Sequence, residues 1–395
     1  MAENVTATVK DGVLYINLAG RVDSANAPSV EEEINVICSD KQSVNVVIDA
    51  ENLEYISSAG LRIILRLRKN YPELKMINAN SEVYDILDMT GFTEMMTIEK
   101  AYRKLSVEGC EVIGRGSNGE VYRLDPDTII KVYLNPDCLP DIHRERELAR
   151  KAFVLGIPTA IPYDVVKVGD SYGSVFELLN AKSFTKILAA DSSKIDEVVE
   201  MYVDLLKKIH STEVQPGDMP DMKQVAIGWV RDIKGIISDA KWEKLNSLVN
   251  AIPDNHHMIH GDYHTKNVMV QNGEVLLIDM DTLSYGDPIF EFGSIFNAYK
   301  GFYFGQLPLD GVSFIGIPYE MGAEIWEKTL HLYFNTDDEE YLDTVRDKSA
   351  LLGYTRVLRR TIRRCDTSRP DIKKLIDGYV NEIESILDRV DTLTL

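Results

Sequence analysis

Basic charge is in short supply in this chain. Its 395 residues hold 43 Lys and Arg against 63 Asp and Glu, a formal net charge of −20. That balance argues against a broad nucleic-acid or anionic-membrane surface. Cysteine is scarce too: Cys38, Cys110, Cys138 and Cys365 lie far apart, with no C-x-x-C and no Cys/His metal spacing. Reduced thiols in a bacterial-type cytoplasm are the expectation. No apolar run is long enough to span a bilayer, and the opening MAENVTATVK lacks the basic start and apolar core of a signal peptide. Internal repeats and low-complexity tracts are absent. What remains is the composition of globular protein, 45% hydrophobic and 27% charged. The length exceeds one ordinary core, so two or three domains are expected.

The most informative stretch is His260 to Asp281, HGDYHTKNVMVQNGEVLLIDMD. Asn272-Gly273, flanked by apolar strand residues, predicts a type I′ turn and a hairpin. Counting back from that turn, Asn267 pairs near Ile278, which brings Asn267 and Asp279 together at the hairpin's open end. These two side chains offer hard oxygen ligands for Mg²⁺. Asp262, on the preceding loop, can accept the proton of an attacking hydroxyl. Such a set suits phosphoryl transfer from a nucleotide, which asks a protein mainly to hold phosphates and metal and to aim one hydroxyl. The plain alternative is a chance group of polar loop residues around an ordinary hairpin.

A second motif lies upstream. Gly114, Gly116, Ser117, Asn118, Gly119 and Val121 form G-x-G-x-x-G-x-V between two strand-like runs. Glycines let the backbone fold tightly over a polyphosphate and turn N–H groups toward its oxygens. A strand rather than a helix follows, which favours the kinase version over a dinucleotide-binding turn. The next strand, Thr128 to Tyr133, places Lys131 among apolar neighbours, and a Lys there needs a partner. The helix from Pro140 to Leu155 offers Glu145 and Glu147. Glu145 shares a face with Ile142, Leu148, Ala149 and Ala152, so periodicity selects it. Phe176 to Leu179 sits where a connection between two lobes would belong; there backbone groups, those of Glu177 included, would meet an adenine edge and Leu179 would line the ring, while an ordinary edge strand reads equally well.

HGDYHTKN, IDMD and Gly286-Asp287-Pro288, behind the glycine loop and Lys131, resemble the aminoglycoside phosphotransferase and choline kinase-like family over residues 110 to about 300. The resemblance implies ATP and Mg²⁺ as cofactors, Asp262 as catalytic base, Asn267 and Asp279 as metal ligands, and Lys131 with Glu145 as the phosphate-positioning pair. Asp281 is a further candidate metal contact, and His264 a candidate neighbour of the phosphates. His260 reads as a structural hydrogen-bonder, and Asp287 as a tie between its loop and the next helix. Gly261 stands where eukaryotic-type protein kinases carry Arg, and Asp279 to Asp287 leaves no room for a long activation segment. Both favour a small-molecule hydroxyl as acceptor. From Val312 onward the chain reads as helical. There Arg356, Arg359, Arg360, Arg363 and Arg364 form a basic stripe, either solvated and paired with acidic residues or facing an anionic acceptor.

The first hundred residues read differently. Strands at 5–9, 13–18, 44–48 and 75–78 alternate with helices at 24–38, 61–67 and 83–89, which implies a mostly parallel sheet with helices packed on it. The segment VIDAENLEYISSAGLRIILRL, with GRVD before it, resembles the STAS domain of anti-sigma-factor antagonists. The resemblance implies a phosphorylation switch at Ser58, near Asp23. Physics gives Ser58 two readings: a helix N-terminus tolerates a phosphate, and Ser is also a common N-cap. Glu99 to Glu108 reads as a short charged tether.

The expected fold class is therefore α/β: a STAS-like α/β sandwich at residues 1–100, then a two-lobed protein-kinase-like (α+β) fold with its first lobe at 105–180 and its second at 181–395. The expected function is an ATP- and Mg²⁺-dependent cytoplasmic phosphotransferase acting on a small-molecule hydroxyl, with a STAS regulatory module. Its partners would be that acceptor, an anti-sigma factor or other STAS partner, and a second copy of the chain. The alternatives are a protein kinase acting on Ser58 or on a STAS partner, and a non-catalytic signalling scaffold.

Overall fold

The structure, a computed structural model, describes residues 4–39, 45–116, 118–179, 181–303 and 312–395. Val44 and Ser117, read above as strand and glycine-loop residues, lie outside the described residues. Two compact units are formed. One runs from the N-terminus to Glu108 and includes Val165–Tyr172; the other comprises Gly109–Asp164 and Gly173–Leu395.

In the first unit a five-stranded sheet is ordered β1 (Val5–Lys10), β2 (Val13–Val22), β3 (Asn45–Ile56), β4 (Lys75–Ala79), β5 (Ile98–Lys100). Only β1 and β2 are antiparallel; the other pairings are parallel. Period-two alternation along β2 sends Leu14, Ile16 and Leu18 into the core. The helices are α1 (Ala27–Ser39), α2 (Ser58–Asn70), α3 (Ser81–Met89) and α4 (Phe92–Met95). Leu61, Ile63, Ile64 and Leu67 form the buried face of α2. Gly60 lets that helix approach β3, since a Cβ there would stand 2.6 Å from Ile56 Cγ1.

Three expectations change here. β3 continues past Ile48 to Ile56. Helix α1 starts at Ala27 rather than Ser24, because Asp23 Oδ1 accepts the Ala25 N–H at 2.9 Å and shapes a turn first. The expected tether is partly ordered framework: Ile98–Lys100 is a strand, the Leu105 N–H donates to the Lys167 carbonyl, and the Lys167 N–H donates to the Arg103 carbonyl, each at 2.9 Å.

The second unit opens with an antiparallel sheet in which β6 (Glu111–Arg115), β7 (Gly119–Arg123) and β8 (Thr128–Tyr133) are successive neighbours. Helix α5 (Leu139–Val154) follows β8 and buries Ile142, Glu145, Leu148, Ala149 and Ala152. After β9 (Asp164–Val168) comes β10 (Ser171–Glu177), which pairs with β8. The rest is mainly helical: α6 (Phe184–Ala190), α7 (Ile195–His210), α8 (Met222–Asp232), α9 (Asp239–Ala251), α10 (Ile289–Tyr299), α11 (Tyr319–Phe334), α12 (Glu339–Arg364) and α13 (Pro370–Leu387). Short strands β11 (Lys182–Ser183), β12 (Met258–Ile259), β13 (Val268–Gln271), β14 (Glu274–Leu277) and β15 (Ser284–Tyr285) frame the loops between them. The expected helix from Val312 begins only at Tyr319, because Val312 bridges Pro318 across a turn in which Gly316 has φ +91°. Helix α10 is buried along its whole length and forms the axis of this unit. Among the described residues no helix is long and apolar enough to cross a membrane.

Candidate active site

The glycine loop joins β6 to β7. Its three glycines are held to different degrees. A Cβ on Gly119 would lie 2.3 Å from the Val132 carbonyl oxygen, so close approach of β8 demands glycine there. Gly114 and Gly116 would make only ordinary contacts, at 3.6 and 3.7 Å. Val121 pairs with Lys131 on the neighbouring strand β8.

Lys131 Nζ lies 2.9 Å from Glu145 Oε1 and 3.1 Å from Asp279 Oδ1. Glu145 is also the acceptor of the Tyr133 hydroxyl at 2.7 Å. Burial works against the charge on Lys131, but the carboxylates of Asp279 and Glu145 outweigh it and hold the ammonium well above its ordinary pKa. Glu147, the rejected alternative, pairs with Arg150 on the helix surface. One lysine therefore joins β8, α5 and the loop after β14.

That loop follows the expected hairpin. Val268 to Gln271 pairs with Glu274 to Leu277, and Asn272 (φ 52°) with Gly273 (φ 83°) makes the turn. The Ile278 N–H donates to the Asn267 carbonyl at 2.9 Å, so the open end is closed where the spacing implies. Asp279 adopts a left-handed conformation, φ 66° and ψ 68°, unusual for a residue with a side chain. Asn118 Nδ2 lies 3.4 Å from Asp281 Oδ2, so the glycine loop faces the same cleft. Asp281 is pushed up to about 7, by burial first and then by the negative charge of Asp279 and Glu145.

Asp262 lies on the loop before β13. Burial raises its proton affinity, but His264, Arg356 and His260 more than reverse this and hold the carboxyl well below the usual range. His264 Nε2 is 3.6 Å from Asp262 Oδ2. His260 is occupied at both ring nitrogens: Nδ1 is 3.3 Å from the Asp262 N–H and Nε2 is 3.2 Å from the Ile278 carbonyl. Asn267 Nδ2 donates to the Asp262 carbonyl at 3.0 Å, which ties the start of the hairpin to the Asp262 loop. Asp287 Oδ1 accepts the Ile289 N–H at 3.0 Å, at the start of α10. At the lobe connection Glu177 is exposed at the end of β10 and Leu179 is half-buried, while the Leu178 N–H is taken by the Asp127 carbonyl at 2.7 Å.

Sequence reasoning missed what holds this loop in place. Glu291, fully buried on α10, accepts the backbone N–H groups of His260 at 2.5 Å and Gly261 at 3.0 Å. Hydrogen bonds to a charged group contribute about 1.5–3 kcal/mol each. The Gly261 carbonyl in turn receives Ser294 Oγ at 2.8 Å and Arg356 Nη1 at 2.7 Å. Gly261 has φ 80°, and a Cβ there would meet the Thr282 carbonyl oxygen at 2.8 Å. Of the basic stripe, Arg356 is therefore turned inward. Arg359 and Arg363 are both paired with Asp232, at 2.8 and 3.3 Å, and Arg360 lies over the Phe302 ring.

The residues fit a divalent cation. The carboxylates of Asp279, Glu145 and Asp262 all act on Asp281 and, after burial, add to the upward push on its carboxyl, so negative charge gathers here that a cation would offset. Among the described residues no three His, Cys, Asp or Glu side chains form a closed metal cage. A set of few protein oxygens, completed by phosphate oxygens, is what Mg²⁺ takes and what Ca²⁺ or Zn²⁺ cages are not.

A glycine loop over a paired lysine, with a catalytic-type loop and a second acidic loop opposite, defines a kinase-like phosphotransferase. The chain belongs to the phosphotransferase enzyme family, whose model matches residues 109–308, and it carries a STAS domain matched at residues 4–105. BtrV of Bordetella bronchiseptica, named as an anti-sigma factor antagonist, is 37% identical over 92 residues, 22% of this chain and 78% of its own length. The anti-sigma F factor antagonist of Paenibacillus polymyxa is 28% identical over 91 residues, again 22% and 78%. Among solved structures, ADP-bound aminoglycoside phosphotransferase APH(2'')-Ib is 13% identical with a TM-score of 0.49, covering 78% of this chain and 99% of its own. Amicoumacin kinase hAmiN is 14% identical with a TM-score of 0.48, covering 79% and 95%.

Proposed function

We propose that the second unit moves the γ-phosphoryl group of ATP to a hydroxyl of a small molecule, and that the STAS unit regulates it or recruits an anti-sigma-factor-type partner. The observation that carries this reading is Lys131 bridging Glu145 and Asp279 beneath the glycine loop. N–H groups of Gly114 to Gly119 bind the nucleotide's phosphates, and Lys131, aimed by Glu145, adds a fixed positive charge. Asn267 and Asp279 would hold Mg²⁺, which when bound neutralises phosphate charge. Asp262, kept ionised by its neighbours, orients the acceptor hydroxyl and takes its proton. The bond from acceptor oxygen to the γ-phosphorus forms, the bond from that phosphorus to the β,γ-bridging oxygen breaks, and ADP leaves. Exposed Phe314, whose ring packs 6.0 Å from that of His264, offers the acceptor an apolar wall.

Asp262→Asn tests this. ATP turnover with Mg²⁺ and a panel of hydroxyl compounds should fall by about 10³-fold or more, while nucleotide affinity stays near wild type. Unchanged turnover would remove Asp262 from the reaction.

A second reading, protein phosphorylation at Ser58, is supported by one observation. Ser57, not Ser58, caps α2, accepting the N–H groups of Ala59 at 3.2 Å and Gly60 at 3.5 Å, while Ser58 is exposed. Label from γ-labelled ATP that appears on the wild-type chain and not on Ser58→Ala would favour that reading over the first.

A further inference from the structure

The loop that carries Asp262 is anchored from a helix distant in sequence. Arg356 stands on α12, 95 residues beyond Gly261, and its Nη1 donates to the Gly261 carbonyl at 2.7 Å and to Ser294 Oγ at 3.0 Å. Its guanidinium lies 5.5 Å from the centre of the buried Trp229 ring. The carboxylates of Asp262 and Glu291 act on it, and Arg360 is the nearby like charge. The guanidinium is half-buried, so part of its hydration is lost, and an aliphatic side chain would pack α12 against α10 without that cost. Packing alone therefore does not account for an arginine here. Its planar fork does something a hydrocarbon cannot: it fixes a carbonyl and balances two carboxylates at once.

We propose that Arg356 is a positioning residue of the phosphotransfer site, whose guanidinium fixes the Gly261–Asp262 peptide and so sets the direction of the Asp262 carboxylate. Glu291 holds the N–H side of the same turn and Arg356 the carbonyl side, so the turn is gripped from both faces. Helix α12 thereby becomes part of the catalytic framework. The inference rests on the reading of Asp262 as proton acceptor.

The test uses the full chain with Arg356→Met and Arg356→Lys. Turnover of ATP with Mg²⁺ and no added acceptor, so that water is the hydroxyl, should fall by about 10²-fold in Arg356→Met. Nucleotide affinity should stay within about twofold, a split that general collapse would not give. Amide hydrogen exchange should quicken at His260 to Tyr263 and stay unchanged in α7 and α9. Arg356→Lys should recover the exchange protection only in part, since an ammonium lacks the fork. Wild-type exchange at His260 to Tyr263 in Arg356→Met, or parallel losses of affinity and turnover, would overturn the proposal. If wild type and Asp262→Asn turn over ATP equally, the phosphotransfer reading fails, and the exchange arm still decides whether Arg356 fixes the turn. Should Arg356→Met not fold, Arg356→Lys carries both arms.

Discussion

Lys131 Nζ lies 2.9 Å from Glu145 Oε1, and the two side chains are only 18% and 9% exposed. Removing one partner of such a pair leaves a charge stranded in a poorly solvated place, which costs about 3–5 kcal/mol when no other partner exists. Here Asp279 remains 3.1 Å from the same ammonium. Glu145→Ala should therefore cost less than that in stability, about 1–3 kcal/mol. The lysine would swing toward Asp279 and away from the phosphates. ATP turnover should fall by about 10²-fold with a raised KM for ATP. Steady-state kinetics alongside urea unfolding of the same variant measure both numbers; unchanged KM would show that Glu145 does not aim the lysine.

The glycine loop separates into a part the sheet demands and a part the protein's own packing does not. Gly119→Ala drives a Cβ to 2.3 Å from the Val132 carbonyl and should lower stability by about 2 kcal/mol or more. Gly116→Ala meets nothing nearer than 3.7 Å in the protein itself. That variant should unfold like wild type yet bind ATP about tenfold or more weakly, because the added methyl occupies space the phosphates need. Thermal unfolding paired with calorimetric nucleotide titration distinguishes the two. Equal ATP affinity in Gly116→Ala and wild type would place the nucleotide elsewhere.

Much of this site is legible in sequence because its chemistry is local. Asn272-Gly273 sets the hairpin, the hairpin sets Asn267 against Ile278, and helix periodicity alone turns Glu145 toward Lys131. What escaped detection is contributed over long separations. Glu291 meets Gly261 across 30 residues, Ser294 across 33, and Arg356 across 95. In sequence Glu291 is one polar residue in an apolar run, and Arg356 is one member of a basic stripe. No periodicity shows that the first ends fully buried or that the second points inward. The serines show a smaller failure of the same kind. Sequence offers Ser58 as a helix N-cap, but the cap is decided by backbone angles, and Ser57 at φ −89° and ψ 173° has the extended conformation that a cap requires.

That offset predicts a contrast between neighbours. Ser57→Ala removes the acceptor of two helix N–H groups and should cost about 1 kcal/mol. Ser58→Ala, at an exposed first position of the helix, should stay within about 0.5 kcal/mol of wild type. Trp229, Trp242 and Trp326 all belong to the second unit. Tryptophan fluorescence should therefore be silent to Ser57→Ala while far-ultraviolet circular dichroism detects an earlier urea transition. An equal loss in both variants would mean that Ser58 shares the cap.

Glu291 gives the acid limb of stability a named contributor. Burial raises its proton affinity, but His210, 3.8 Å away, and the His260 side outweigh this and hold the carboxyl below its ordinary 4.5. A carboxyl depressed on folding contributes stability that is complete above its unfolded value and is lost as pH falls through its folded one. At neutral pH the charged Glu291 grips the His260 and Gly261 amides in full. Glu291→Gln retains one weaker acceptor oxygen, so it should be less stable at pH 7 by about 1–3 kcal/mol. As pH falls from 4.5 through the lower value of the folded carboxyl, the wild type loses that contribution, and the gap between the two proteins should narrow. Urea midpoints followed by tryptophan fluorescence from pH 7 down to acid measure that gap directly. A gap that stays constant through this range would mean that Glu291 acts by shape and hydrogen bonding, with no charge at stake.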